Sequence, residues 1–134
     1  MPAPPTTPPD VAAALIAHLL AVTDADSVDT SAPESGTAVR HLRVRADLGG
    51  RITPISRSCT VGLSAWVLTS TGAADLPATF DLAALAGRAL EAAAARVTPI
   101  LAAEVQSGPL AVTDPVTSRD YALTSLLLEV AVGV

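Results

Sequence analysis

Two histidines, one cysteine, a serine flanked by small residues and a pair of aspartates around a turn are the side chains of this 134-residue sequence with the means to do chemistry. His18 falls among apolar positions of a helical stretch, and His41 falls on the arginine-bearing side of a strand. A metal site needs several converging ligands, and there is no cysteine cluster to complete one. His18 therefore reads as a partly buried histidine whose polar atoms are satisfied. Gly62-Leu63-Ser64-Ala65-Trp66 approaches the nucleophile-elbow pattern, but a tryptophan stands where the second glycine belongs. The segment also lies in mid-strand instead of at a strand-to-helix turn. Cys59 is on the buried face of that strand, where a lone cysteine acts as a small hydrophobe and has no disulfide partner. Asp114 and Asp120 bracket a turn and read as its caps. All eight basic residues are arginine, which excludes a Schiff-base or phosphate-loop lysine, and no glycine-rich phosphate loop is present. The expectation is no enzyme, with no catalytic, metal or cofactor-binding residues.

Charge is the one uneven feature. Thirteen acids against eight bases give −5 overall, which disfavours a general nucleic-acid binder. Between Arg40 and Arg57, however, five arginines face a single aspartate, a local charge of +4 that leaves −9 for the remainder. Arg40, His41, Arg43, Arg45, Arg51 and Arg57 are thus the candidate partner interface, to be weighed against a solvated strand face whose charges keep a sheet from sticking. With only Trp66, Phe80 and Tyr121 as aromatics, base stacking is not available.

These residues must be held by a single domain whose core is built from alanine, valine, leucine and isoleucine. Residues 1–9 read as a proline-rich arm, expected to gain order only against a neighbour, and residues 10–134 as the domain. Thr7 is expected to cap a helix in which Val11, Leu15, Leu19 and Val22 recur at helical spacing, widened by Ile16 and Leu20. Residues 23–38 read as an acidic surface loop. Val39 to Leu48 alternates as a half-buried strand, with Leu42, Val44, Ala46 and Leu48 on one face and His41, Arg43, Arg45 and Asp47 on the other. Gly49-Gly50 is expected to turn the chain into a second strand, Arg57 to Thr69, with Cys59, Val61, Leu63, Ala65 and Val67 inward. After a loop over 70–79, a second helix is expected from Thr79 or Asp81 to Pro99, with Leu82, Leu85, Ala89 and Ala93 inward. Residues 100–106 are ambiguous between helix and strand, and Ser107-Gly108-Pro109 and Asp114-Pro115 read as turns around a short Leu110–Val112 element. Tyr121 to Val132 is a strand apolar on both faces and so expected to be covered on both. This order predicts an α+β fold: a mostly antiparallel sheet of about four or five strands packed against two helices. No apolar run is long and uncharged enough to span a membrane.

Several segments taken together resemble a known family. Arg51-Ile52-Thr53-Pro54 leading into Ser58–Trp66, the helical FDLAALAGRALEAA, the stretch Gly108 to Pro115 and a closing strand headed by Tyr121 are similar, in order and spacing, to tail terminator proteins of long-tailed bacteriophages. The resemblance spans residues 39–134, and the first helix also fits. The proline-rich arm, the acidic loop and Arg119-Asp120-Tyr121 depart from the family pattern. The resemblance implies a structural virion protein without a catalytic site. Such a protein forms a homo-oligomer, a hexameric ring, that caps the tail tube and joins it to the head connector, with DNA passing through without sequence-specific binding. Its place would be the head–tail junction of the virion, and the host cytoplasm during assembly. The arginine-bearing stretch is expected to meet an acidic surface of a neighbouring subunit or tail protein. A head-completion (stopper) protein of the connector, or a small non-enzymatic binding module, are the alternatives.

Overall fold

A computed structural model describes residues 10–34, 38–94 and 96–132. The expected arm at 1–9, with Thr7 and Pro8, lies outside the described residues. The helix α1, Val11–Val22, is capped by Asp10, whose side chain accepts from the Ala13 N–H at 3.0 Å. The cap of this helix is thus Asp10. Val11, Leu15 and Leu19, four residues apart, are the positions it buries, while Val22 and Leu20 remain half exposed.

The acidic stretch that follows is not all loop. Ser27–Asp29 forms a short strand, β1, paired in parallel with the start of β2, Val39–Thr53. One apolar residue, Val28, is enough to dock it, since it is buried opposite Leu42. β2 runs past Gly49-Gly50 without turning, and the chain reverses at Pro54-Ile55, between the paired residues Thr53 and Ser56. The glycines sit in a bulge instead. Their carbonyls leave the ladder and accept side-chain bonds from the facing strand, Arg57 Nε to Gly49 at 2.9 Å and Ser58 Oγ to Gly50 at 3.3 Å.

β3, Ser56–Leu68, carries Cys59, Val61, Leu63, Ala65 and Val67 inward as the alternation predicts. The second helix, α2, covers Leu76–Glu91. It starts earlier than expected because Asp75 caps it, accepting from Ala78 N–H, and Pro77 is tolerated in the first turn. It ends well before Pro99 despite the alanine run, an instance of packing overriding propensity. Its buried positions are Thr79, Leu82, Ala83, Ala86, Gly87 and Leu90, so the inward stripe is rotated away from Leu85 and Ala89.

The ambiguous segment is a single strand, β4, Ile100–Thr113, which runs straight through the expected turn. Gly108 and Pro109 bulge out of its pairing with β5, Asp120–Ala131, between the pairs Ser107–Ser125 and Leu110–Leu123. Gly108 has φ +92°, a conformation that costs glycine nothing and other residues much.

The fold is α+β, with a five-stranded, mostly antiparallel sheet in the order β1-β2-β3-β5-β4 and only the β1–β2 pairing parallel. Facing residues in a ladder share a side of the sheet. Leu42 and Val44, the alternate residues Cys59, Val61, Leu63 and Ala65, and Leu126, Leu128 and Val130 form one core with Leu15, Leu19, Leu82, Ala86 and Leu90. Both helices thus pack on one side. The expected double cover of β5 is not complete among the described residues: Leu126 and Leu128 are buried, whereas Leu127 is 43% exposed.

Candidate interaction face

The side of the sheet away from the helices is divided in two. At one end the hairpin register sets His41 opposite Trp66, and Arg43 opposite Ser64. Trp66 stacks on Tyr121 with ring centroids 4.7 Å apart and planes 27° apart, and His41 tilts against it at 5.8 Å. The Arg43 guanidinium lies 5.1 Å from the Trp66 ring centre and 5.7 Å from that of Tyr121, and its Nη2 donates to Ser64 Oγ at 3.2 Å. Together these groups leave Trp66 only 1% exposed without any helix above it. Two of the three aromatics and one arginine form a small second core.

His41 is 2% exposed and serves as a clasp. Its Nδ1 meets Ser27 Oγ at 2.6 Å, its Nε2 meets the Ser31 carbonyl at 2.7 Å, and Asp29 lies 3.4 Å away. A carbonyl can only accept, so Nε2 carries a proton and donates to Ser31. Arg40 fastens the same segment by an ion pair with Asp24 at 3.0 Å, while its N–H donates to Asp26 at 2.9 Å. The acidic surface met by Arg40 and His41 belongs to this chain's own loop.

The six candidate residues do not form one face. His41, Arg43 and Arg45 point away from the helices. Arg40 has the parity of Leu42, and Arg51 and Arg57, paired with each other, lie on the side of Cys59 and Val130. Arg51 donates to the Pro54 carbonyl at 3.2 Å, and Arg57 to Gly49. Among the described residues, Arg45 is the only one of the six without a hydrogen-bond, ion-pair or ring partner.

The other end of this side is bare. There Leu127 is 43% exposed, and Ile52 from the hairpin tip joins it and Ala102 in lining an open groove of about 490 Å³, while Leu110, 59% exposed, lies on β4 in the row of Arg43, Ser64 and Leu123. Beside the groove runs the outer edge of β4, fourteen residues with Glu104 as the one charge and, among the described residues, no strand beyond it. Sequence reasoning missed this edge because the Ser107-Gly108-Pro109 turn signal divided it. It missed the aromatic cluster because a turn at Gly49-Gly50 would set His41 against Ser58.

The groups considered for chemistry are kept apart. His18 Nε2 is 3.0 Å from the Ala89 carbonyl and occupied there. Cys59 lines a shallow depression with Asp10 and Asp47, where burial pushes its thiol pKa up and the Asp47 carboxylate adds to this, with a smaller opposing effect from the Asp47 backbone. That environment holds the proton on sulfur, the reverse of nucleophile activation. Cys59 pairs with Leu48, seven residues along β2 from His41, which separates thiol and imidazole by roughly 23 Å. Ser64 is buried beneath Arg43. Asp114 and Asp120 act as turn caps, accepting from Val116 N–H at 2.8 Å and Thr113 Oγ1 at 2.5 Å. Among the described residues no three potential metal ligands converge, and no helix is long and apolar enough to cross a membrane.

No protein-family model matches this chain, and no curated protein matches it.

Proposed function

We propose that this protein is a structural assembly component, a tail terminator that forms a ring of identical subunits, six by family resemblance, on the end of a phage-type tail tube and presents that ring to the head connector. The observation that carries the reading is the outer edge of β4. From Ile100 to Ser107, ahead of the Gly108-Pro109 bulge, this strand edge carries one charge and no lysine or proline, and such a stretch is a template for pairing with another chain. Exposed Leu110 and Leu127 beside it supply apolar surface for a neighbour. A rotationally repeated contact closes into a ring without needing large aromatic anchors, since several modest interfaces act together. The engagement of Trp66 and Tyr121 with each other, and of Phe80 with the main core, fits that kind of assembly. The reading includes no bond-making step, in keeping with the raised thiol pKa of Cys59 and the engagement of both ring nitrogens of His41.

The test is the mass of the purified protein in solution, with averaged electron micrographs of the same sample alone and mixed with tail-tube protein from the same source. The expected result is a closed ring that attaches to one end of the tubes. A single-copy particle that leaves tube ends bare refutes the proposal.

A further inference from the structure

We infer that helix α1 of one copy seats on the uncovered side of the next copy's sheet, with Leu20 entering the gap above Gly62; this rests on the ring reading and names its interface. Two surfaces of the chain lack a cover, and they lie on opposite sides of it. The first is the outer face of α1. Of its twelve residues only His18 can carry a charge, and that ring is bonded to the Ala89 carbonyl. Its exposed stripe is Ala13, Ala17, Leu20 and Ala21, opposite the buried Val11, Leu15 and Leu19. A surface helix ordinarily turns polar residues to water, and one that is apolar all round belongs between two layers. Here α1 has one layer, formed by β1, β2 and α2.

The second surface is the middle of the sheet on the side away from the helices. The ladders set Arg45, Gly62, Ser125 and Ser107 side by side, with Leu123 in the row on one flank and Leu127 in the row on the other. The floor between the two leucines is therefore low. Gly62 is its lowest point, since a Cβ built there meets no other residue within 4 Å. A glycine inside a strand weakens it, and Gly62 is not among the residues with positive φ that would require one. Such a glycine marks a place where another backbone approaches closely. A stripe of alanines with one projecting leucine has the complementary shape: Leu20 fills the gap between Leu123 and Leu127, and Ala13 and Ala17 let the helix come near.

Charge fixes the sense of stacking. α1 packs over β1 and β2, and α2 over β3, β5 and β4. The helix side thus runs from the acidic Asp24 and Asp26, through uncharged α1, to the exposed Arg88 on α2. In the same direction the open side runs from Arg45 on β2, through the leucines of β5, to Glu104 on β4. Two copies stacked in one sense therefore set opposite charges together at both margins. Neither ion pair among the described residues uses Arg45, Arg88 or Glu104. The contact joins different surfaces of the two copies, so the step repeats, and a rotation that closes gives the ring. It leaves the outer edge of β4 free for a further chain.

The experiment measures solution mass for the wild-type chain, for Leu20→Asp, which charges the helix stripe, for Gly62→Val, which fills the gap, and for an equimolar mixture of the two variants. Leu20 is half exposed and valine suits a strand with open space above it, so the urea midpoint of neither variant should fall by much. Far-ultraviolet circular dichroism and Trp66 emission verify that each is folded. Expected are rings for the wild type, single copies for each variant, and pairs in the mixture, where the helix of Gly62→Val meets the sheet of Leu20→Asp and the chain of contacts stops. Rings that persist in either folded variant overturn this interface while the ring reading stands, and so does a mixture that stays single. At the margin, Arg88→Glu and Glu104→Arg should each move assembly to higher concentration and the double exchange should move it back; no return overturns the stated stacking. A wild-type chain that stays single at every concentration removes the ring reading itself, and this interface with it.

Discussion

Replacing Arg43 by alanine should open the only tryptophan of the chain to water and weaken the fold at the same time. The side chain has two roles in the structure: its Nη2 donates to Ser64 Oγ at 3.2 Å, and its guanidinium lies over both Trp66 and Tyr121. A hydrogen bond of this kind contributes about 0.5–1.5 kcal/mol net. A cation held over aromatic rings contributes about 0.5–1 kcal/mol when exposed and about 2 kcal/mol when desolvated. The expected loss is therefore about 1.5–3 kcal/mol, and with a urea slope of about 2 kcal/mol per molar the midpoint falls by roughly 1 M. Because Trp66 is the sole tryptophan, its emission reports on the same site: a red shift and faster acrylamide quenching in the native state are expected. Arg43→Lys keeps the charge but loses the planar stack and the fork of donors, so it should restore less than half of the stability. Arg43→Met keeps an apolar stem over the ring and should restore the blue emission more than the stability. An Arg43→Ala protein with unchanged urea midpoint and unchanged emission refutes the account, and so does a vanishing coupling between Arg43→Ala and Trp66→Phe in a double-mutant cycle.

Gly108→Ala places a Cβ at φ +92° against the Leu123 carbonyl oxygen and 3.0 Å from Thr124 Cα, so it should cost upward of about 2 kcal/mol and lower the thermal midpoint by several degrees; an unchanged midpoint shows that the bulge is dispensable. Cys59 should resist Ellman's reagent in the native state and react on unfolding. Since its folded pKa is raised, stability should fall as pH climbs above the pKa of the unfolded thiol toward that of the folded one, and Cys59→Ala should abolish this decline. Asp114 is shifted the other way: the Val116 N–H, foremost among several contacts, holds its pKa below the usual aspartate range. Its contribution is present above the unfolded pKa and is lost as pH falls through the folded one, so Asp114→Ala should flatten the acid side of the stability profile measured by urea unfolding.

The parts of the fold legible in the sequence are those governed by local alternation. The faces of β3, the inward row Leu42 and Val44, the three buried residues of α1 and the α+β class all follow from periodicity, because side chains on one strand or helix face must share one environment. Turn chemistry was less transparent. Gly49-Gly50 and Gly108-Pro109 both carry strong turn signals, yet both occupy bulges within long strands. A bulge and a turn ask the same of a residue, tolerance of unusual backbone angles and freedom from the ladder, and only the partner strand decides between them. At Gly49 that partner supplies Arg57 and Ser58 as donors to the released carbonyls, which no local pattern reveals. The candidate interface suffered from the same cause. Nearness in sequence grouped six basic residues, and the bulge divides them between the two sides of the sheet.

Splitting that group changes what charge reversal can establish. Arg43 and Arg45 are two residues apart and point the same way, and a loss of ring formation after reversing both would not show that either touches a neighbour. The Arg43 part of that loss comes from within the subunit: a glutamate there faces the electron-rich surfaces of Trp66 and Tyr121 and lies opposite Asp29, so the aromatic cluster and the strand it anchors both loosen. Arg45 has no such internal duty, since it is exposed and its neighbours across the hairpin are Gly62 and small polar residues. Reversal at Arg45 alone should therefore leave unfolding midpoints and Trp66 emission where they are, so that a loss of ring formation on that variant, and not on the double reversal, is the result that reads on contact with a neighbour.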